Sequence, residues 1–169
     1  MKRPVAEAGF TLVEQLVVVA LLGVLAGLGL QQGRSTLARQ RLEAATRVLV
    51  QGIERGRMAA LRQGRACGLQ LTAQGWQGSE GSLPACAAGL EPWAEQGAGV
   101  SVRHNLPAEV RFSANGLVID GGTVVVSGEG SELRRCLVLA LPLGIVRVGR
   151  YWGEEGAPQA GACRPEAGL

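Results

Sequence analysis

Few side chains in this sequence are suited to catalysis. The chain of 169 residues has a single histidine, His104, and lacks a nucleophile motif, a P-loop and a G-x-G-x-x-G element after a strand. Because there is no second histidine and no C-x-x-C pair, neither an acid–base triad nor a zinc site is indicated. The sequence therefore predicts a protein that is not an enzyme and that has no cofactor or metal site.

The cysteines are the next residues with chemistry of their own. All four follow an apolar N-terminal run: Cys67, Cys86, Cys136 and Cys163. Four cysteines allow three pairings. Closure of local loops favours Cys67 with Cys86 and Cys136 with Cys163, and the sequence leaves the other two pairings open. Disulfides persist outside the cytoplasm, so the part of the chain after the apolar run is predicted to be extracytoplasmic.

A single carboxylate, Glu14, lies near the start of the apolar run, which extends from Phe10 to Leu30 without Lys, Arg or Asp. The run is long enough to cross the roughly 30 Å hydrocarbon core of a bilayer, and two basic residues before it predict a cytoplasmic N-terminus. An ionised side chain in such a run costs at least about 2.5–3.5 kcal/mol, so Glu14 needs a partner. A cleaved secretory signal would be shorter, and a plain signal anchor would need neither Gly9 nor Glu14.

Residues 9–14, Gly-Phe-Thr-Leu-Val-Glu after a short basic leader, resemble the signature of the type IV pilin and type II secretion pseudopilin superfamily. The resemblance implies that a prepilin peptidase cleaves between Gly9 and Phe10 and that the new Phe10 amine is methylated. It also implies that Glu14 pairs with the N-terminal amine of a neighbouring subunit in a helical filament. Such pairing is physically reasonable, because an unpaired buried charge costs several kcal/mol.

The helix is predicted to continue beyond the membrane to about Gln63. Segment 34–63 has no proline, and small or apolar residues recur at three- and four-residue steps, at Ala38, Leu42, Ala45, Leu49, Gly52 or Ile53, Gly56 and Ala60. Eight arginines lie between positions 34 and 65. They are interpreted as a solvated helix face, or alternatively as a surface for anionic lipid head groups or for acidic groups of neighbouring subunits. The formal net charge of +3 says little about partners.

Beyond position 64 the sequence has short apolar runs separated by turn residues, which is typical of antiparallel strands. Strands are predicted at 66–72, 100–104, 109–113, 117–119, 123–127, 133–141 and 145–148, with segment 78–99 as a loop in which Trp93 packs. The fold class is therefore α+β, a long N-terminal helix packed on a distal antiparallel β-sheet domain. The predicted organisation is a leader at 1–9, a transmembrane helix at 10–30, its amphipathic continuation at 31–64, and a periplasmic β-rich domain with a C-terminal tail at 65–169.

Three further segments narrow the resemblance to minor pilins of the GspH/FimT type. They are residues 57–62, 112–116 and 143–148. This branch implies two small sheets, a role in initiating or capping a pilus or pseudopilus, and other major and minor pilins as partners. It also implies storage in the bacterial inner membrane and leaves open a contribution to DNA uptake in natural transformation. The alternatives are the H-type pseudopilin of a type II secretion system and a DNA-binding receptor on a pilus.

Some FimT-type proteins bind DNA through a C-terminal G-R-x-R element, and here the aligned residues are Gly-Ile-Val-Arg at 144–147. The first arginine of the element is thus replaced by Ile145. Phosphate contacts need several cations, and aromatic rings support binding of single strands. The candidate DNA-binding residues are Arg147, Arg150, Trp152 and Arg164, close to Tyr151, with Arg134 and Arg135 nearby if the tail folds back. Glu154, Glu155 and Glu166 offset part of this charge.

Overall fold

The computed structural model describes residues 11–86 and 99–166, without the side chains of residues 28–34. The leader, the cleavage position between Gly9 and Phe10, and Trp93 lie outside the described residues. The chain divides into two compact units, one ending at Thr36 and the other beginning at Leu37.

Helix α1 spans Leu12–Gln63 and has a defined start and end. At its start the Oγ1 atom of Thr11 accepts a hydrogen bond of 3.3 Å from the backbone N–H of Glu14, which makes Thr11 the N-cap. At its end Gly64 has a φ of 60°, a left-handed conformation that commonly terminates helices. The sequence thus contains the signals that set both ends of α1.

The part of α1 in the first unit carries large apolar side chains that remain exposed, with fractions from 48% to 75% between Leu12 and Leu25. Among the described residues, no helix combines the length and apolar character that crossing a membrane requires. The predicted span includes Phe10 and the side chains of 28–30, which lie outside the description. The membrane anchor therefore stays a prediction.

In the second unit one stripe of α1 is buried, as its periodicity predicts. Leu42, Ala45, Leu49, Ile53 and Ala60 are each at most 1% exposed. The apolar side chains at these three- and four-residue steps form the helical side of the core.

Two glycines in this stripe let the strands approach the helix closely. A Cβ atom on Gly52 would collide with the indole of Trp76, and one on Gly56 would lie 2.6 Å from a methyl carbon of Leu69. The indole Nε1–H of Trp76 also donates a hydrogen bond of 2.8 Å to the carbonyl of Leu49. Each glycine makes the helix less stable than Ala would, and this close packing against the strands offsets that loss.

Within the described residues, eight strands form two antiparallel sheets, and this confirms the predicted α+β fold with two small sheets. The first sheet has the order β2-β1-β4, with β1 at Cys67–Thr72, β2 at Gly75–Gly78 and β4 at Val110–Phe112. The second has the order β3-β5-β6-β7-β8, with β3 at Val100–His104, β5 at Gly122–Gly128, β6 at Arg134–Ala140, β7 at Ile145–Tyr151 and β8 at Cys163–Arg164.

Segment 117–119, predicted as a strand, forms only a single bridge between Val118 and Phe112. Its backbone alternates between two partners, because Ile119 N–H donates to the carbonyl of Arg111 and Val118 N–H donates to that of Pro142. Alternation of this kind is normal for a strand between two neighbours, but here the pairing with β4 is limited to one bridge, so the segment does not count as a strand. It links the β4 edge to the turn between β6 and β7.

The disulfides join Cys67 to Cys86 and Cys136 to Cys163, which are the pairs that local loop closure favours. The first holds the segment after β2 against β1, and the second holds the C-terminal β8 to the middle strand β6. Loops of this size are expected to stabilise the fold by about 3 kcal/mol each in the chain-entropy account.

Candidate functional site

The candidate binding residues lie on β7 and β8, and strand pairing decides which of them share a face. Arg150 in β7 lies opposite Arg135 in β6 and opposite Arg164 in β8. Residues directly opposite each other in antiparallel strands point to the same face of the sheet. The three arginines therefore form one row across the sheet, on the face that Val146 and Val148 turn toward the main core.

Arg147 points the other way, because it is three residues from Arg150 and strand side chains alternate. Tyr151, which shares the parity of Arg147, packs in a separate cluster with Val125, Cys136 and Cys163 on the opposite face. Of the four candidate DNA-binding residues, the fold brings together Arg150, Trp152 and Arg164. It places Arg147 on the other side of the sheet.

Arg150 and Trp152 form a stacked pair at the surface. The guanidinium carbon of Arg150 lies 4.4 Å from the centroid of the Trp152 ring, and Trp152 is 60% exposed. Arg164 is exposed beside them. A stacked guanidinium and an open indole face offer a cation and a π-surface to the same ligand.

Arg135, which was expected to extend this group, is instead buried and committed to two carboxylates. Its side chain is 3% exposed, its Nε donates 2.8 Å to Glu43 on α1, and its Nη1 donates to Glu166 in the tail. Burial lowers the pKa of Arg135, but the hydrogen bonds from Glu43 and Glu166 outweigh it and raise the pKa above its ordinary value. We call these three residues the tail clasp, since they tie helix, sheet and tail together.

The tail clasp was not predicted from the sequence. Its members are separated by 92 and 31 residues, and no local pattern connects them. The one available signal was that Glu43 is among the few acidic residues of an arginine-rich helix. The clasp changes the charge balance of the site, because Glu166 is directed to Arg135.

The other acidic residues of the tail belong to a different surface. Glu154 and Glu155 line an open pocket of about 720 Å³ together with Arg103 and Arg134. Arg134 lies 5.5 Å from the Tyr151 ring, also away from the Arg150 row. His104 is exposed at the end of β3. Within 11–86 and 99–166 no group of three or more His, Cys, Asp or Glu side chains is placed to hold a metal ion.

Glu14 lies in the first turn of α1 and is exposed. Its backbone N–H is the donor to the Thr11 cap, so its side chain is not needed for that hydrogen bond. The structure thus places Glu14 at an open helix end, while the Phe10 amine lies outside the description. The pairing between Glu14 and a neighbouring Phe10 stays a prediction.

A family model described as type II transport protein GspH matches residues 45–142. The matched range begins in the buried stripe of α1 and runs through β6 into the turn that precedes β7. A comparison with curated proteins finds no significant match, and a comparison with solved structures finds none either.

Proposed function

The chain belongs to the GspH family of type II transport proteins, and from this premise we propose that it is a minor pilin that initiates or caps a type IV pilus. The family supports a minor pseudopilin of the type II secretion or type IV pilin-like class, with a structural rather than an enzymatic role. It also implies interaction with other pilins or pseudopilins in a pilus-like assembly.

The observation that carries the proposal is the exposed apolar surface of α1 in the first unit. Large aliphatic side chains from Leu12 to Leu25 are at least 48% exposed in the single chain. An apolar surface of this extent needs lipid or neighbouring helices to cover it. We propose that the inner membrane covers it before assembly, and that the helices of other subunits cover it in the filament.

The proposal includes the processing steps expected of a pilin. A prepilin peptidase would cleave between Gly9 and Phe10, the Phe10 amine would be methylated, and Glu14 would pair with such an amine in a neighbouring subunit. In the structure α1 begins at Leu12 with Thr11 as its N-cap, shortly after the proposed cleavage position.

Deletion of the gene tests the proposed role. A cell without the chain is expected to make few or no filaments, because an initiating subunit is needed once for each filament, while the amount of major pilin in the membrane stays normal. The measurement is a count of surface filaments by electron microscopy, with the full-length gene restored as control. Normal filament numbers with loss of secreted enzymes would instead favour the H-type pseudopilin of a type II secretion system.

A second candidate function, DNA binding during uptake, is supported by the stacked Arg150 and Trp152 next to Arg164. Each phosphate contact contributes a salt-dependent increment to affinity, and stacking on an aromatic ring adds to single-strand binding. The group is small, so the expected affinity is modest. Arg147 lies on the other face and would not contact the same strand.

Replacing Arg150 with alanine is expected to weaken binding of single-stranded DNA several-fold and to reduce the slope of log affinity against log salt by about 1. The change removes one phosphate contact and the cation stacked on Trp152. A fluorescence-anisotropy salt series measures both quantities. Arg147→Ala is the matched control and should retain nearly full affinity. Equal losses in the two variants, or no salt-sensitive binding at all, would contradict this candidate function.

A further inference from the structure

Strand β7 has an open edge along most of its length. Of its seven residues, only Arg150 and Tyr151 pair with β8. Among the described residues no strand pairs with Ile145–Val148 on that side, whereas Gly149 is buried and a Cβ atom on it would collide with the carbonyl oxygen of Arg164. A sheet edge of this kind is a template for strand addition unless the chain itself covers it.

The pairing between β7 and β8 shows which N–H and C=O groups of β7 point toward the open edge. Trp152 N–H donates 3.0 Å to the carbonyl of Ala162, so the backbone of Trp152 faces the β8 side. In antiparallel pairing, groups that face the same side recur at every second residue. The N–H and C=O groups of Val148 and Val146 therefore point out from the open edge.

The described tail packs its backbone at Arg164 and Pro165 against Gly149, at the end of the open edge. Pro165 follows β8 directly, and the carboxylate of Glu166 is held by Arg135 in the tail clasp. β8 itself has only two residues. From Ile145 to Val148 the edge of β7 therefore has no strand of the described chain beside it.

The side chains around the open edge of β7 indicate the chemistry of a strand that could pair with it. Leu141 and Leu143 in the adjoining turn and Ile145 at the start of β7 are 55%, 56% and 61% exposed. Arg147, in the middle of the open edge, is exposed on the outer face. An occupant would gain by placing apolar side chains near Ile145 and a carboxylate opposite Arg147.

We propose that the open edge of β7 is a strand-addition site that binds an extended segment of a different subunit of the pilus-like assembly, with an acidic side chain facing Arg147. A second copy of this chain is a poorer occupant, because two-fold pairing about Arg147 places two like charges opposite each other. The inference deepens the proposed function, since it rests on the chain working with other subunits.

The test uses the full-length chain in cells that contain the rest of the assembly, with a benzophenone photo-cross-linking amino acid at position 145. A cross-link to an extended segment of another subunit is expected. Val146→Pro should reduce its yield about tenfold, because proline removes an outward N–H and blocks the edge. Val146→Ala is the matched control, since it loses the same side-chain contacts but keeps the N–H, and its yield should fall less than about twofold.

The outcomes of the test show separately whether the strand-addition site fails or the proposed function fails. A cross-link to a copy of the same chain, equal yields in the proline and alanine variants, or no cross-link from a chain that is present in sheared filaments would overturn the strand-addition site. Absence of the chain from the membrane and from the filaments, measured by immunoblot, would overturn the proposed function and with it the premise of this inference.

Discussion

Replacing Arg135 with alanine is expected to lower the free energy of unfolding by about 3 kcal/mol. The substitution leaves the carboxylate of Glu43, whose side chain is 24% exposed, beside the core without its cationic partner. It also releases Glu166, whose 40% exposure makes its share of the cost smaller. Chemical denaturation followed by circular dichroism measures the difference, and a midpoint shift at constant slope would show that stability alone has changed.

Two further variants test whether the unpaired charge of Glu43 causes this loss of stability. Arg147→Ala removes an exposed arginine of the same sheet and should cost less than about 0.5 kcal/mol. Arg135→Met combined with Glu43→Met replaces the pair with apolar groups of similar length and should recover much of the lost stability. If the double variant is no more stable than Arg135→Ala, the unpaired carboxylate of Glu43 is not the source of the cost.

The acidic end of the tail clasp also gives the fold a pH dependence. The hydrogen bond from Arg135 is the main cause of a pKa of Glu166 below its ordinary value of 4.5, and the positive charge of Arg135 adds to it. A depressed pKa means that the contribution of Glu166 is present above pH 4.5 and is lost as the pH falls through its folded value. The tail clasp therefore weakens in acid, whereas the disulfide between Cys136 and Cys163 and the pairing of β8 with β7 still hold the tail to the sheet.

The parts of the fold that depend on local periodicity could be predicted from the sequence. The stripe from Leu42 to Ala60 follows the helical repeat, and the close approach at Gly52 and Gly56 needs small residues at those positions. The two-residue strand β8 could not be predicted, because it exists only through its pairing with β7. Segment 117–119 has the composition of a strand, but it forms only one bridge, between Val118 and Phe112.

The composition of the candidate site was predictable, and its arrangement was predictable only in part. The opposite orientations of Arg147 and Arg150 follow from their odd spacing once both are placed on one strand, and this signal was present in the sequence. The burial of Arg135 was not, because it depends on Glu43 and Glu166, which are remote in the chain. Long-range ion pairs of this kind are fixed by tertiary packing and leave no periodic trace.

Replacing Glu14 with alanine is expected to leave prepilin cleavage largely intact and to reduce incorporation of the chain into filaments strongly. The proposed partner of Glu14 is the Phe10 amine of a neighbouring subunit, and an unpaired charge buried among helices costs several kcal/mol. Immunoblots of membrane and sheared-filament fractions measure cleavage and incorporation separately. Gln15→Ala changes the next exposed residue in the same helical turn and should assemble normally.

A purely local role for Glu14 predicts a different result. A carboxylate in the first turn of a helix stabilises it by about 0.3–1 kcal/mol through the helix dipole. The Thr11 cap uses the backbone N–H of residue 14, which alanine retains, so α1 should begin at the same residue in the variant. If Glu14 serves only the helix start, Glu14→Ala will enter filaments as efficiently as Gln15→Ala, and the pairing with Phe10 is then excluded. If incorporation falls while cleavage and membrane level stay normal, the carboxylate is required between subunits rather than within α1.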